Sequence, residues 1–286
     1  MIDLNHAPIL TFSCPDARGI VSTVSSYLTE AGCNILQSAQ FDDTITGLFF
    51  MRVQFDPGDH ATLEELRSGF APIARRLSLN WQLHDMRTPM RVLVMASKAD
   101  HCLVDLLHRQ KRGALNADIR GVISNHPDVE PVAQFYGVPF HHMPVSAETK
   151  KEQETKLRAF IEEEQVELTV LARYMQVLTP EFCADYEGRV INIHHSFLPS
   201  FKGARPYHRA HERGVKLIGA TAHFVTPDLD EGPIIEQEVA RVDHAMTPNA
   251  LVEAGRDVER QTLARAVQYY VERRILLNRV KTVVFR

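Results

Sequence analysis

The chain has 286 residues, 44% of them apolar and 24% charged, and a net charge of −4 with histidines counted neutral. That length exceeds one small domain and suits two, with apolar residues enough for a substantial core. The mildly acidic balance offers no general basic face for nucleic acid, and no apolar run approaches the ~20 residues that span a bilayer.

The N-terminus, Met1-Ile2-Asp3-Leu4-Asn5-His6, lacks a cationic-then-apolar signal pattern, so the chain is expected to remain in the cytoplasm. Residues 8–13 predict a strand, followed by the polar turn Cys14-Pro15-Asp16-Ala17-Arg18-Gly19. Ile20, Val24, Leu28 and Ala31 then recur at helical spacing, and Gly32 marks a helix end. Residues 34–41 and 48–55 read as strands around a turn at Asp42-Asp43-Thr44, residues 60–77 as a helix and residues 79–84 as a closing strand. The order βαββαβ is the ferredoxin-like arrangement, and it fills a first unit over residues 1–85.

Residues 86–89 are a short polar linker to a second domain expected over 90–286. Strands are predicted over 91–96, 117–124, 138–143 and 166–171, alternating with helices over 100–111, 128–136 and 149–164. Repeating βα units of this kind argue a doubly wound, mainly parallel sheet with a ligand crevice at the strand carboxyl ends. Apolar runs over 188–194 and 217–225 add two strands, and residues 249–274 read as a long surface helix. The expected class is α/β. Cys14, Cys33, Cys102 and Cys183 lack Cys-x-x-Cys spacing and read as small buried apolar groups.

Chemistry gathers where those last two strands end. Asn192 and His194 are two apart, so they share one face of a strand that stops at a loop of Ser, Pro and Gly. The next run holds His223 and leads into Thr226-Pro227-Asp228-Leu229-Asp230-Glu231-Gly232-Pro233, a polar turn that puts Asp230 at a strand end. Singly, Asn192 suits a turn cap, His194 a hydrogen-bonded core histidine and Asp230 an Asx turn. Together, an amide, an imidazole and a carboxylate suit the handling of a carbonyl. His195, His208 and His211 make no metal set, because Glu212 does not share the helical face of His211, and no metal is expected.

Asn192-Ile193-His194, the Leu198-Pro199 loop and Leu229-Asp230-Glu231-Gly232-Pro233 resemble the core of the folate-dependent formyltransferase family, whose pattern is Asn-x-His, a Leu-Pro-containing loop and Leu-Asp-x-Gly-Pro. Leu171-Ala172-Arg173-Tyr174-Met175-Gln176-Val177-Leu178-Thr179-Pro180 is similar to that family's folate-facing segment. The resemblance implies a pterin held by Met175, Val177 and Leu178, with His223 and Thr226 beside it; from the residues alone, Met175 and Leu178 read equally well as core. In the first unit, Cys14-Pro15-Asp16-Ala17-Arg18-Gly19-Ile20-Val21 with Gly32-Cys33-Asn34-Ile35 is similar to the ACT regulatory domain. That implies either an amino-acid effector touching Asp16, Arg18 and Asn34 or a dimerisation module without a ligand.

Family members that formylate a glycinamide ribonucleotide resemble one another in a Gly-rich loop after the first strand, whose backbone N–H groups hold the acceptor's phosphate. The corresponding residues here, Ala96-Ser97-Lys98-Ala99-Asp100-His101-Cys102-Leu103, contain no glycine and bring the charge of Asp100. A tRNA-modifying relative is not expected either, since no basic C-terminal domain follows the last helix. An ACT-like half joined to a formyltransferase-like half, with Ser97-Lys98 and His101-Cys102-Leu103 after the first strand, resembles the formyltetrahydrofolate deformylase family. The resemblance implies hydrolysis of 10-formyltetrahydrofolate to formate and tetrahydrofolate, in support of purine synthesis and one-carbon folate balance. The folate is then the substrate and no further cofactor is expected.

For that reaction Asp230 is read as general base, His194 as electrostatic and proton partner and Asn192 as oxyanion donor. Formyl transfer to an amine acceptor, and a non-catalytic amino-acid sensor built on the ACT-like half, remain as alternatives. A homo-oligomer, dimer or tetramer, with no nucleic-acid or membrane partner, completes the expectation.

Overall fold

The structure is a computed structural model that describes residues 6–58, 61–195 and 206–286. Backbone contacts divide the chain into two compact units, Met1–Pro89 with Glu272–Arg286, and Met90–Val271. No helix among the described residues is long and apolar enough to cross a membrane.

The first unit opens with β1 (Ile9–Pro15), α1 (Ile20–Glu30), β2 (Asn34–Asp43), β3 (Leu48–Asp56), α2 (Leu63–Arg76) and β4 (Asn80–His84), the expected βαββαβ order. The strands form an antiparallel sheet in the order β2-β3-β1-β4. Alternation along β1 and β3 sends Leu10, Phe12, Met51, Val53 and Phe55 onto the face that Val24 and Leu28 of α1 and Leu66 and Phe70 of α2 cover. α2 starts at a capping box in which Thr62 and Glu65 bond each other's backbone N–H.

The second unit contains β5 (Met90–Ala96), α3 (His101–Lys111), β6 (Ala117–Ser124), α4 (Glu130–Tyr136), β7 (Phe140–His142), α5 (Lys150–Glu163), β8 (Leu168–Leu171), α6 (Pro180–Asp185), β9 (Val190–His194), α7 (Pro206–Glu212), β10 (Leu217–Phe224), β11 (Ile234–Arg241) and α8 (Pro248–Val271). Among the described residues these strands form one sheet in the order β11-β10-β9-β8-β5-β6-β7. β5 to β9 run parallel, and β10 is antiparallel to both β9 and β11. Leu93, Val94, Met95, Val170 and Ile191 are buried on both faces of the sheet, which is why these strands read as unbroken apolar runs. The chain leaves β5 toward β6 on one side and returns at β8 on the other. This reversal opens a crevice beyond the carboxyl ends of β5 and β8.

The expected second domain over 90–286 is corrected at its end. After α8 the chain rejoins the first unit as a hairpin, β12 (Ile275–Asn278) and β13 (Lys281–Val284). Asn278 Nδ2 donates to Asp43 Oδ2 at 2.6 Å, and Arg52 donates through Nε and Nη2 to the Glu272 carbonyl at 3.3 and 3.2 Å. The helix expected to reach residue 274 stops at Val271, and Arg273 takes a left-handed φ of 53°. Two four-residue strands carry too little periodicity to be told from a helix tail.

Candidate active site

β9 delivers Asn192 and His194 to one face because side chains two apart in a strand point the same way. The antiparallel register of β10 sets His223 directly opposite Asn192 and Thr221 opposite His194. Opposed residues of such a pair project to the same face, so His223 joins the site by register. Beyond β10 the chain turns back on itself, and Phe224 N–H donates to the Pro233 carbonyl at 2.9 Å. The return passes so near the strand that a Cβ on Gly232 would sit 1.8 Å from the Phe224 carbonyl oxygen; only glycine fits. Asp230 occupies the tip in a left-handed conformation with φ 59°, which Asp adopts more readily than most residues.

This folding brings the three expected catalytic residues together. His194 Nδ1 lies 3.3 Å from Asp230 Oδ2. The hydrogen bond with His194 holds the Asp230 carboxyl below its ordinary value despite partial burial, so the group is ionised at neutral pH. His194 Nε2 is buried and has no hydrogen-bond partner among the described residues. Asn192 Nδ2 is 3.2 Å from His223 Nε2, and His223 Nδ1 is 2.8 Å from the Phe224 carbonyl oxygen.

A carbonyl only accepts, so Nδ1 of His223 carries the proton. Burial pushes this imidazole below the ordinary histidine value, against the pull of the Phe224 carbonyl and of Asp230, so the ring is neutral and Nε2 is bare. A bare Nε2 must receive an N–H from Asn192, which fixes the orientation of that amide. It also means that the 3.8 Å approach of Asp230 Oδ1 to Nε2 is proximity between two acceptors and not a bond.

A cavity of about 300 Å³ opens at these groups. Asn192, His194, His223, Thr226 and Asp230 line it together with Arg173, Tyr174, Met175, Val177 and Leu178. The residues expected to face a folate therefore line this one cavity. Met175 and Val177 are 59% and 53% exposed and present apolar surface, whereas Leu178 is core that also reaches the cavity. Their segment is pinned from behind. Met175 N–H donates to Ser97 Oγ at 3.0 Å, and Ser97 donates to Asn125 Oδ1 at 2.6 Å. The buried Glu154 carboxylate accepts from the backbone N–H and the hydroxyl of Thr179.

In the first unit, Asp16, Arg18 and Asn34 are all exposed. A shallow hollow there is lined by Tyr27, Glu30, Ala31, Gly32, Ala61, Glu65 and Leu66, and none of the three expected contacts is among them. The Leu198-Pro199 loop lies outside the described residues.

Sequence reasoning did not join Arg173, His195, His101, Tyr207 and Glu259, which form a partly buried polar cluster around the buried Glu259. His101, Cys102 and Glu259 offer ligand atoms within 4.8 Å of one another. His101 Nε2 is nevertheless already bonded to Glu259 at 2.8 Å, and the Arg173 cation sits beside the same carboxylate, so the trio is closed against a second cation. One signal was available: Glu259 falls on the buried stripe of α8 with Leu251, Gly255, Val258 and Leu263, where a charge is out of place.

A family model described as Formyl transferase matches residues 90–267, and one described as ACT domain matches residues 9–68. The chain is 48% identical over 280 residues to formyltetrahydrofolate deformylase of Corynebacterium sp. (strain P-1), covering 97% of this chain and 98% of that one. The crystal structure of formyltetrahydrofolate deformylase from Burkholderia mallei superposes with a TM-score of 0.94 at 53% identity, over 98% of this chain and 100% of that one. That of phosphoribosylglycinamide formyltransferase from Anaplasma phagocytophilum gives 0.63 at 28% identity, over 69% of this chain and 95% of that one. With both halves matched in one chain and full-length likeness at this level, the protein belongs to the formyltetrahydrofolate deformylase family.

Proposed function

We infer that this chain is a hydrolase that converts 10-formyltetrahydrofolate and water to formate and tetrahydrofolate, working in the cytoplasm with no further cofactor. The observation that carries the reading is the convergence of Asn192, His194 and Asp230 on one cavity with an apolar wall at Met175, Val177 and Leu178. Family membership supports the same reaction, and four buried free cysteines suit a reducing compartment.

The groups divide the work. Ionised Asp230 accepts hydrogen bonds only, so it orients the attacking water and takes its proton as the C–O bond forms. Negative charge then develops on the formyl oxygen. Asn192, its amide oriented by His223, donates to that oxygen, and one such donor is worth about 3–4 kcal/mol of barrier. His194 directs Nδ1–H at Asp230 and stabilises the charge or passes a proton through Nε2. The C–N bond breaks as the nitrogen of the folate receives a proton, releasing formate and tetrahydrofolate.

The test is turnover of 10-formyltetrahydrofolate with every amine acceptor left out. Formate is expected from the wild type, and Asp230→Asn is expected to lower kcat by about 10²- to 10⁴-fold. Tetrahydrofolate released only after an amine is added, with a formylated amine in place of formate, would return the transferase reading. For the first unit we propose amino-acid binding or homo-oligomer assembly, a reading the ACT match supports.

A further inference from the structure

The proposed reaction uses Asn192, His194 and Asp230, yet a second ionisable centre is built into the same unit. Glu259 of α8 is 1% exposed. Its Oε1 accepts from the Tyr207 hydroxyl at 2.6 Å, and its Oε2 lies 2.8 Å from His101 Nε2 and 3.4 Å from Arg173 Nε. Burial opposes the charge, but His101, Arg173 and Tyr207 together hold the carboxyl below its ordinary value. One helical turn earlier, Gly255 leaves room for this: a Cβ there would meet the Tyr207 ring at 2.1 Å. An apolar side chain in the buried stripe of α8 would serve packing at least as well as a carboxylate that must be desolvated and then matched donor by donor. Stability alone therefore does not account for Glu259.

The network leads to the site. Arg173, at the carboxyl end of β8, holds a left-handed φ of 64°, a strained conformation for a residue with a Cβ. Its Nη1 donates to His195 Nδ1 at 2.7 Å. A guanidinium only donates, so that nitrogen of His195 is bare and the ring neutral; burial, then the Arg173 charge, pushes its pKa down to about 4. The His195 ring stacks on His194 with centroids 4.9 Å apart and planes 22° from parallel. One face of His194 thus rests on a ring that Arg173 holds.

We propose that Glu259 is a positioning residue for formyl hydrolysis: it anchors the Arg173 guanidinium, and Arg173 holds the His195 ring against which His194 is set toward Asp230. The assignment rests on the hydrolytic reading above, but it concerns how the imidazole is held and can fail separately from it.

A double-mutant cycle on the full-length protein tests it. Glu259→Gln keeps the shape and hydrogen-bonding reach while removing the charge, and Arg173→Gln removes the intermediary. Glu259→Gln is expected to lower kcat by about 10- to 100-fold, the scale of a small misplacement of a reacting group, with KM for 10-formyltetrahydrofolate held within about threefold. In the Arg173→Gln background it is expected to add little, because the two act in series. Wild-type turnover without an amine is measured first; should formyl release require an amine, the function reading fails and the cycle is run on the amine-dependent rate. Long-range ¹H–¹⁵N spectra of the histidine rings need no turnover, and Glu259→Gln is expected to move the His194 and His195 signals. Wild-type kcat in Glu259→Gln, a loss that adds in full to that of Arg173→Gln, or unmoved ring signals would overturn the proposal.

Discussion

Three histidines show how a single ring's surroundings decide its use. His223 is neutral with its proton on Nδ1, His195 is neutral because Arg173 occupies its Nδ1, and His84 in the first unit is pushed by burial, then by Arg273, Arg52 and Arg67, to about 3. Each folded-state pKa lies below the ordinary 6.5, so between those values the unfolded chain binds protons that the native state refuses. Stability is therefore fully present above about pH 6.5 and falls as the pH drops toward 4, His84 and His195 each costing about 2 kcal/mol by pH 5. Asp230 and Glu259, whose pKa values are depressed, add their losses only at lower pH, as they protonate. A thermal unfolding midpoint that declines from pH 7.5 to 5 is the expected result, and His195→Gln should flatten the decline. A midpoint unchanged across that range would refute the assignment of neutral buried rings. Asn192, His194 and Asp230 were legible as a set, through the pattern Asn-x-His with Leu-Asp-x-Gly-Pro, where each alone reads as an ordinary cap, core histidine or turn residue. His223 was only a flanking candidate, since nothing in its neighbours along the chain reveals that Asn192 sits across from it.

The loop after β10 is where an element's path sets chemistry. It places Asp230 beside His194 only by passing against Phe224, and Gly232 permits that passage. Gly232→Ala is expected to force the loop off the strand, costing about 1–3 kcal/mol of stability as an overpacked contact and lowering kcat by about 100-fold through displacement of Asp230. Near-normal turnover by a folded Gly232→Ala protein would show that the carboxylate does not need this path. The leading strands and helices were readable to within a few residues, because β5, β6 and β8 carry continuous apolar runs and α1 a helical period. α6, six residues long, was not foreseen, being too short to show a period, whereas a helix was expected around His208 and His211, where α7 lies.

At the scale of the whole molecule the chain joins a formyltransferase-like unit to an ACT unit closed by residues from both ends of the sequence. The ACT assignment predicts that the full-length protein sediments as a homo-oligomer and that at least one of the standard free amino acids changes its unfolding midpoint or its turnover. A monomer indifferent to all of them would remove that role. The order of the longer elements, the ends of their strands and the pattern Asn192-x-His194 with Leu229-Asp230-x-Gly232-Pro233 are local properties, carried by side-chain period and turn chemistry, and the sequence by itself determined them. The return of residues 272–286 to the first unit, the pairing of His223 with Asn192 and the Glu259–Arg173–His195 network join residues from 22 to 235 positions apart. Such contacts depend on strand register, helix packing and the burial of charge, which have no meaning until the chain has closed on itself, and only the tertiary structure decided them.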